Sequence, residues 1–185
     1  MKKFMALAVA AALIPASAVM AQPAPKKAGI EAAGYQWNKM DGKTAEALKL
    51  KGDAANGEEE YEVCGACHLP NGAGRPDGTF PQLAGQHATV LTKQMVDIVD
   101  GLRDNPTMYP FAKEALKHPQ AVADTSAYIE TLCIPTDHGK YEGADAATQI
   151  AKGKELYEKQ CIECHGKNGE GQKEKFYPVI AGQHY

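Results

Sequence analysis

A helical chain built from two copies of one small unit is what this sequence predicts, on three observations. Apolar residues recur at helical spacing in three separate segments. An offset of 97 residues brings one stretch of the chain into register with another. Each of those stretches carries a Cys-x-x-Cys-His pentad.

The repeat is explicit. Adding 97 to Cys64, Cys67 and His68 gives Cys161, Cys164 and His165. The same step takes Asn71, Gly72 and Gly74 to Asn168, Gly169 and Gly171, and Pro81, Ala84, Gly85, Gln86 and His87 to Pro178, Ala181, Gly182, Gln183 and His184. Identity well outside the pentads marks two copies of one unit. Upstream the register differs by one: Gly57-x-x-x-Tyr61 stands three residues before Cys64, and Gly153-x-x-x-Tyr157 four before Cys161. The helix entering the first pentad is therefore expected to end differently from the second.

The elements follow in chain order. Lys2 and Lys3, the apolar run Phe4 to Val19 and the small Ala21 have the form of a secretory signal peptide, residues 1–21. That run is short and rich in alanine for a membrane span, so no span is expected after cleavage. Residues 22–47, with Pro23, Pro25 and Lys26-Lys27, read as a flexible lead-in, in which Trp37 either anchors on the first domain or is exposed. The first domain is placed at 48–133. Within it, Asn71 to Gly74 and Pro76 to Gly78 are turn chemistry. A helix from about Ala88 to Arg103 carries Leu91, Met95, Ile98 and Leu102 on one stripe, and Asn105-Pro106 breaks it. A helix from Pro119 to Leu132 opens on proline in its first turn and points Val122 and Ile129 inward. Cys133 follows at core spacing and reads as a buried thiol, with an intermolecular disulfide as the alternative. Residues 134–144 form a linker. The second domain, 145–185, opens with a helix from about Asp145 that sets Ile150, Gly153, Tyr157 and Cys161 on one face.

The formal charge of −3 argues against a nucleic-acid binder held by phosphate contacts, and 44% hydrophobic content against a disordered chain. Small domains bury little surface, so each needs a metal, disulfide or cofactor. Cys-x-x-Cys-His is the attachment sequence of a c-type haem. Two thiols three positions apart reach the vinyl groups on one porphyrin edge, and the adjacent histidine lies under the iron as proximal ligand. Two covalently bound haem c groups are thus expected, on Cys64, Cys67 and His68 and on Cys161, Cys164 and His165. A disulfide or redox pair and a four-cysteine zinc site are the competing readings. Neither accounts for histidine after both pairs, and the 93 residues between Cys67 and Cys161 exceed a zinc-ribbon spacing. No nucleophile–base cluster or Gly-rich phosphate loop is visible. Glu58-Glu59-Glu60 reads as a solvated helix face, or as a charge run steering a basic partner.

A helix leading into Cys-x-x-Cys-His, a loop holding Pro-x-Leu-Ala-Gly, then a helix, a Met segment and a closing helix resembles a class I cytochrome c domain. The tandem copy and Leu83-Ala84-Gly85-Gln86-His87 resemble the dihaem cytochrome c4 type, over residues 48–185. The resemblance implies an all-α fold of two tandem class I cytochrome c domains. It also implies electron transfer in the periplasm between respiratory partners, that is, redox protein donors and acceptors such as a terminal oxidase or reductase. It implies further that the carbonyls of Pro81 and Pro178, each 13 residues after its histidine, accept that histidine's second N–H.

For the sixth ligand of the first haem the candidates are Met40, Met95, Met108 and His118. Met95 belongs to a helical stripe, and Met40 precedes the pentad, where the family does not take its ligand. Met108, in the proline-bounded loop Asn105 to Pro110, matches the family's ligand loop. No methionine follows it, and only 20 residues follow His165. The second domain is therefore expected to be truncated at its C-terminus. His184 and His138 are weak substitutes, because His87 repeats His184 where Met108 is available. An open second haem would instead suit a haem enzyme or its subunit, such as a dihaem peroxidase or a dehydrogenase partner, or a sensor.

Overall fold

The computed structural model describes residues 42–185, all of them helix, turn or loop apart from one isolated bridge between Gln172 and Tyr177. In order, the helices are α1 (Gly42–Leu48), α2 (Ala54–Glu60), α3 (Glu62–His68), α4 (Ala88–Asp100), α5 (Tyr109–Ala115), α6 (Pro119–Thr131), α7 (Ala146–Gln160) and α8 (Ile162–His165). A 3-10 turn spans Lys173–Lys175. Among the described residues no helix is long and apolar enough to cross a membrane. Residues 1–41, with the expected signal peptide, Trp37 and Met40, lie outside the described residues.

In the first copy α2 and α6 cross closely, because Gly57 presents no side chain. A Cβ there would overlap the Asp124 carbonyl. The chain bends at Tyr61 into α3, and Tyr61, Leu91 and Ile129 form the buried centre, joined by Cys64, Leu83 and Tyr128. α4 buries Val90, Leu91, Val96 and Ile98 and stops at Gly101, whose φ of 74° is left-handed. This early stop corrects one expectation: Leu102 lies beyond the helix and is exposed, and Met95 is only half-buried. α6 opens on Pro119 and turns Val122 and Ile129 inward, as its pattern predicts.

Asp124, buried on α6, ties the crossing together. Its Oδ1 accepts the Asp53 N–H at 2.8 Å and a Gln120 N–H at 2.7 Å, while Asp53 caps α2 through the Ala55 N–H. Asp124→Ala leaves both donors without this acceptor and is expected to destabilise the first copy by about 1–3 kcal/mol. Asp124→Asn, which keeps an oxygen, should recover part of that in urea denaturation of the haem-loaded protein.

Two further corrections concern the segment ends. Residues 42–47, expected as lead-in, are helical as part of α1, with Ala47 buried against α4 and α6. Cys133 is exposed rather than buried: α6 ends at Thr131 and Leu132 is extended (ψ 135°), so the helical spacing from Ile129 no longer applies.

α7 begins directly after Asp145, where the pattern puts its start, yet buries no residue. Ile150 and Leu156 are 67% and 55% exposed, and a Cβ on Gly153 would meet nothing within 4 Å. The inward face expected on this helix is therefore uncovered. In the first copy that face of α2 is covered by α6; among the described residues no helix lies on α7 in the same way.

Candidate functional site

The two pentads sit in near-identical settings. Cys64, Cys67 and His68 lie on α3; Cys161 caps α8, which carries Cys164 and His165. Spacing of three puts each thiol pair on one helical face. All four pentad cysteines are unpaired and half-buried. His68 Nδ1 donates to the Pro81 carbonyl at 2.9 Å, and His165 Nδ1 to the Pro178 carbonyl at 3.0 Å. A carbonyl only accepts, so the proton is on Nδ1 and Nε2 keeps its lone pair. Burial lowers the pKa of His68, with the Pro81 bond acting against it, and the ring stays in the neutral form a metal needs.

The surrounding backbone repeats the pattern. Gly74 N–H donates to the His68 carbonyl at 2.9 Å and Gly171 N–H to that of His165 at 2.8 Å. Tyr61 Oη donates to the Leu69 carbonyl at 2.8 Å, and Tyr157 Oη to that of Gly166 at 2.6 Å. Leu69 has a left-handed φ of 66° where the second copy has glycine, so the Tyr61 bond holds a strained residue in place. Burial pushes the Tyr61 phenol up to about 12, with Cys64 and Tyr128 adding to the shift, so Tyr61 stays a donor.

Paired thiols beside an imidazole whose second nitrogen is already engaged fit a covalently attached haem. Zinc fits poorly: among the described residues no three His, Cys, Asp or Glu side chains converge. Met108 ends its loop at the start of α5, half-buried, with its N–H held by Asn105 Oδ1 at 3.0 Å. His118 is exposed at the start of α6, and His138 lies between α6 and α7, where its carbonyl accepts the Tyr185 N–H.

His184 is engaged elsewhere: its Nε2 donates to the Ala73 carbonyl at 2.6 Å, in the other copy. His87 Nε2 does the same to the Glu170 carbonyl at 2.8 Å. Both donors and both acceptors are related by the offset of 97, so the two copies clasp each other through matching bonds. Gln86 adds two more, to the backbone of Val179. Ile134, just after α6, fills the space against both Gly85 and Gly182, where either Cβ would overlap it. The repeated Ala-Gly-Gln-His was visible in the sequence; its role between the copies was not, because the acceptors are backbone carbonyls.

The chain matches the cytochrome c family over residues 54–132 and 150–185. It is 33% identical over 148 residues to cytochrome c4 of Azotobacter vinelandii, covering 72% of this chain and 67% of that protein. It spans about two thirds of the length of several such curated relatives. The crystal structure of reduced recombinant cytochrome c4 from Pseudomonas stutzeri is similar at TM-score 0.59 and 28% identity, covering 72% of this chain and 74% of that one. A thiosulfate dehydrogenase from Marichromatium purpuratum is similar at TM-score 0.58 and 27% identity, covering 71% of this chain but 30% of that one. The chain belongs to the cytochrome c family, as a dihaem, electron-transferring member of the cytochrome c4 type that is not an enzyme and carries covalently bound haem c.

Proposed function

We propose that the protein is exported to the periplasm behind a signal peptide, residues 1–21, and shuttles electrons between redox proteins of a respiratory chain, a terminal oxidase or reductase among them. Its domains are 48–133 and 145–185, joined by the linker 134–144. The observation that carries this reading is the twofold His–Pro bond behind two Cys-x-x-Cys-His pentads. When bound, each haem supplies a one-electron Fe(III)/Fe(II) couple. The chain does the rest. Cys64, Cys67, Cys161 and Cys164 tether the two groups; His68 and His165 present Nε2 to the irons; and Pro81 and Pro178 fix ring orientation and ligand basicity. Met108 is the sixth ligand of the first haem. Exposed Glu58, Glu59 and Glu60 next to the first pentad favour a basic partner surface.

A thioether opposite imidazole raises the potential relative to two imidazoles. Met108→His is expected to lower the first haem's midpoint sharply in a redox titration, and an unchanged titration would sink the assignment. A second reading, the electron-accepting part of a periplasmic oxidoreductase, is supported by the likeness to part of a thiosulfate dehydrogenase chain. Carbon monoxide binding to the reduced second haem would favour it, since a carrier with both sixth positions filled resists the ligand.

A further inference from the structure

We propose that Gln86, in the first copy, is a positioning residue for the second haem and sets its potential through the Pro178–Val179 peptide group. The inference rests on His165 being that haem's proximal ligand.

The peptide group is bonded at both ends. Its carbonyl accepts His165 Nδ1–H at 3.0 Å, and its N–H donates to Gln86 Oε1 at 2.9 Å. Gln86 Nε2 donates to the Val179 carbonyl at 3.0 Å, so one side chain grips Val179 on both sides. Gln86 and Val179 are both buried, at 8% and 7% exposure. The amide orientation is fixed by its partners: Oε1 also accepts the His87 N–H at 3.1 Å, and a flipped amide would set its NH₂ against two backbone donors.

Hydrogen bonds in series through one amide polarise each other. Donation of the Val179 N–H to Gln86 makes the Pro178 carbonyl a stronger acceptor. That carbonyl draws harder on the His165 N–H, the ring becomes a more basic ligand, and ferric iron is favoured. The contact therefore lowers the second haem's potential, and it does so only while the two copies are docked.

The arrangement is not matched in reverse. The corresponding peptide, Pro81–Gln82, holds His68 in the same way, but among the described residues Gln183 makes no such bond to it. Instead Gln82 Oε1 is buried without a partner. Among the described residues, the second histidine support is reinforced from across the interface and the first is not, which biases the two potentials apart in a fixed direction.

The test is a spectroelectrochemical titration of the full haem-loaded chain. His68→Ala and His165→Ala each displace one wave and so assign the two midpoints. Gln86→Leu is expected to shift the second midpoint upward and leave the first in place. Gln86→Glu, which keeps an acceptor for the Val179 N–H, should leave the second midpoint at or below its native value. His87→Ala removes a neighbouring cross-copy bond without touching the peptide and should produce no upward shift. Mere loosening of the interface admits water to the haem, which favours ferric iron and moves the midpoint down. A Gln86→Leu midpoint that falls or stays, a Gln86→Glu midpoint that rises, or an upward shift in His87→Ala overturns the proposal. If His165→Ala displaces neither wave, it is the ligand assignment beneath the proposal that has failed.

Discussion

Gly57→Ala is expected to destabilise the first copy by about 2 kcal/mol or more, while Gly153→Ala stabilises the second copy's helix by up to about 1 kcal/mol. The two glycines are repeat counterparts on equivalent helices, and neither has a left-handed φ, so alanine is acceptable to the backbone at both. At Gly57 the new methyl meets the Asp124 backbone, which cannot yield as a flexible side chain would, and α2 must move away from α6. At Gly153 the methyl meets nothing, and only the helix-propensity gain of alanine over glycine remains. Urea denaturation followed by far-ultraviolet circular dichroism on the haem-loaded protein reads both signs. Equal effects at the two positions would mean that α7 is covered as α2 is.

Replacing Cys64 and Cys67 together by serine is expected to halve the covalent haem, from two groups per chain to one, as read by acidified-acetone extraction. The loss should not stop at the cofactor. Cys64 packs against the Tyr61–Leu91–Ile129 centre, and burial raises its thiol pKa, so a serine hydroxyl there is set in an apolar place. Broadened thermal unfolding of the first copy should accompany the lost haem. The Cys161, Cys164 double replacement should halve the haem as well, with less effect on packing, because no residue of α7 or α8 is buried. Retention of both haems in either variant would contradict covalent attachment at these pairs.

Much of this was legible in the sequence because periodicity and repetition are local signals. The helices α4, α6 and α7 follow from apolar spacing, α6 with its proline start, and the pentads with their prolines follow from the repeat. What escaped depends on partners distant in the chain. Asp124 bonds a backbone N–H 71 residues away, and Gln86 reaches 93 residues to Val179. A backbone group has no side-chain identity by which a sequence could announce it. Leu102 and Cys133 depart from helical spacing for one reason: the backbone turns before each of them, at Gly101 and at Leu132. α1 was missed because the proline- and lysine-rich stretch before it dominates the composition of that segment.

The matched bonds from His87 to Glu170 and from His184 to Ala73 have the self-complementary form of an isologous dimer interface, in which a patch pairs with its own equivalent. Two separate single-haem chains meeting this way would part on dilution. Carried on one chain, the same patches meet at an effective concentration set by the segment between α6 and α7, on the order of millimolar for a short flexible connection. The spacing between the two redox centres, and the potential difference between them, then become independent of how scarce the protein is in its compartment.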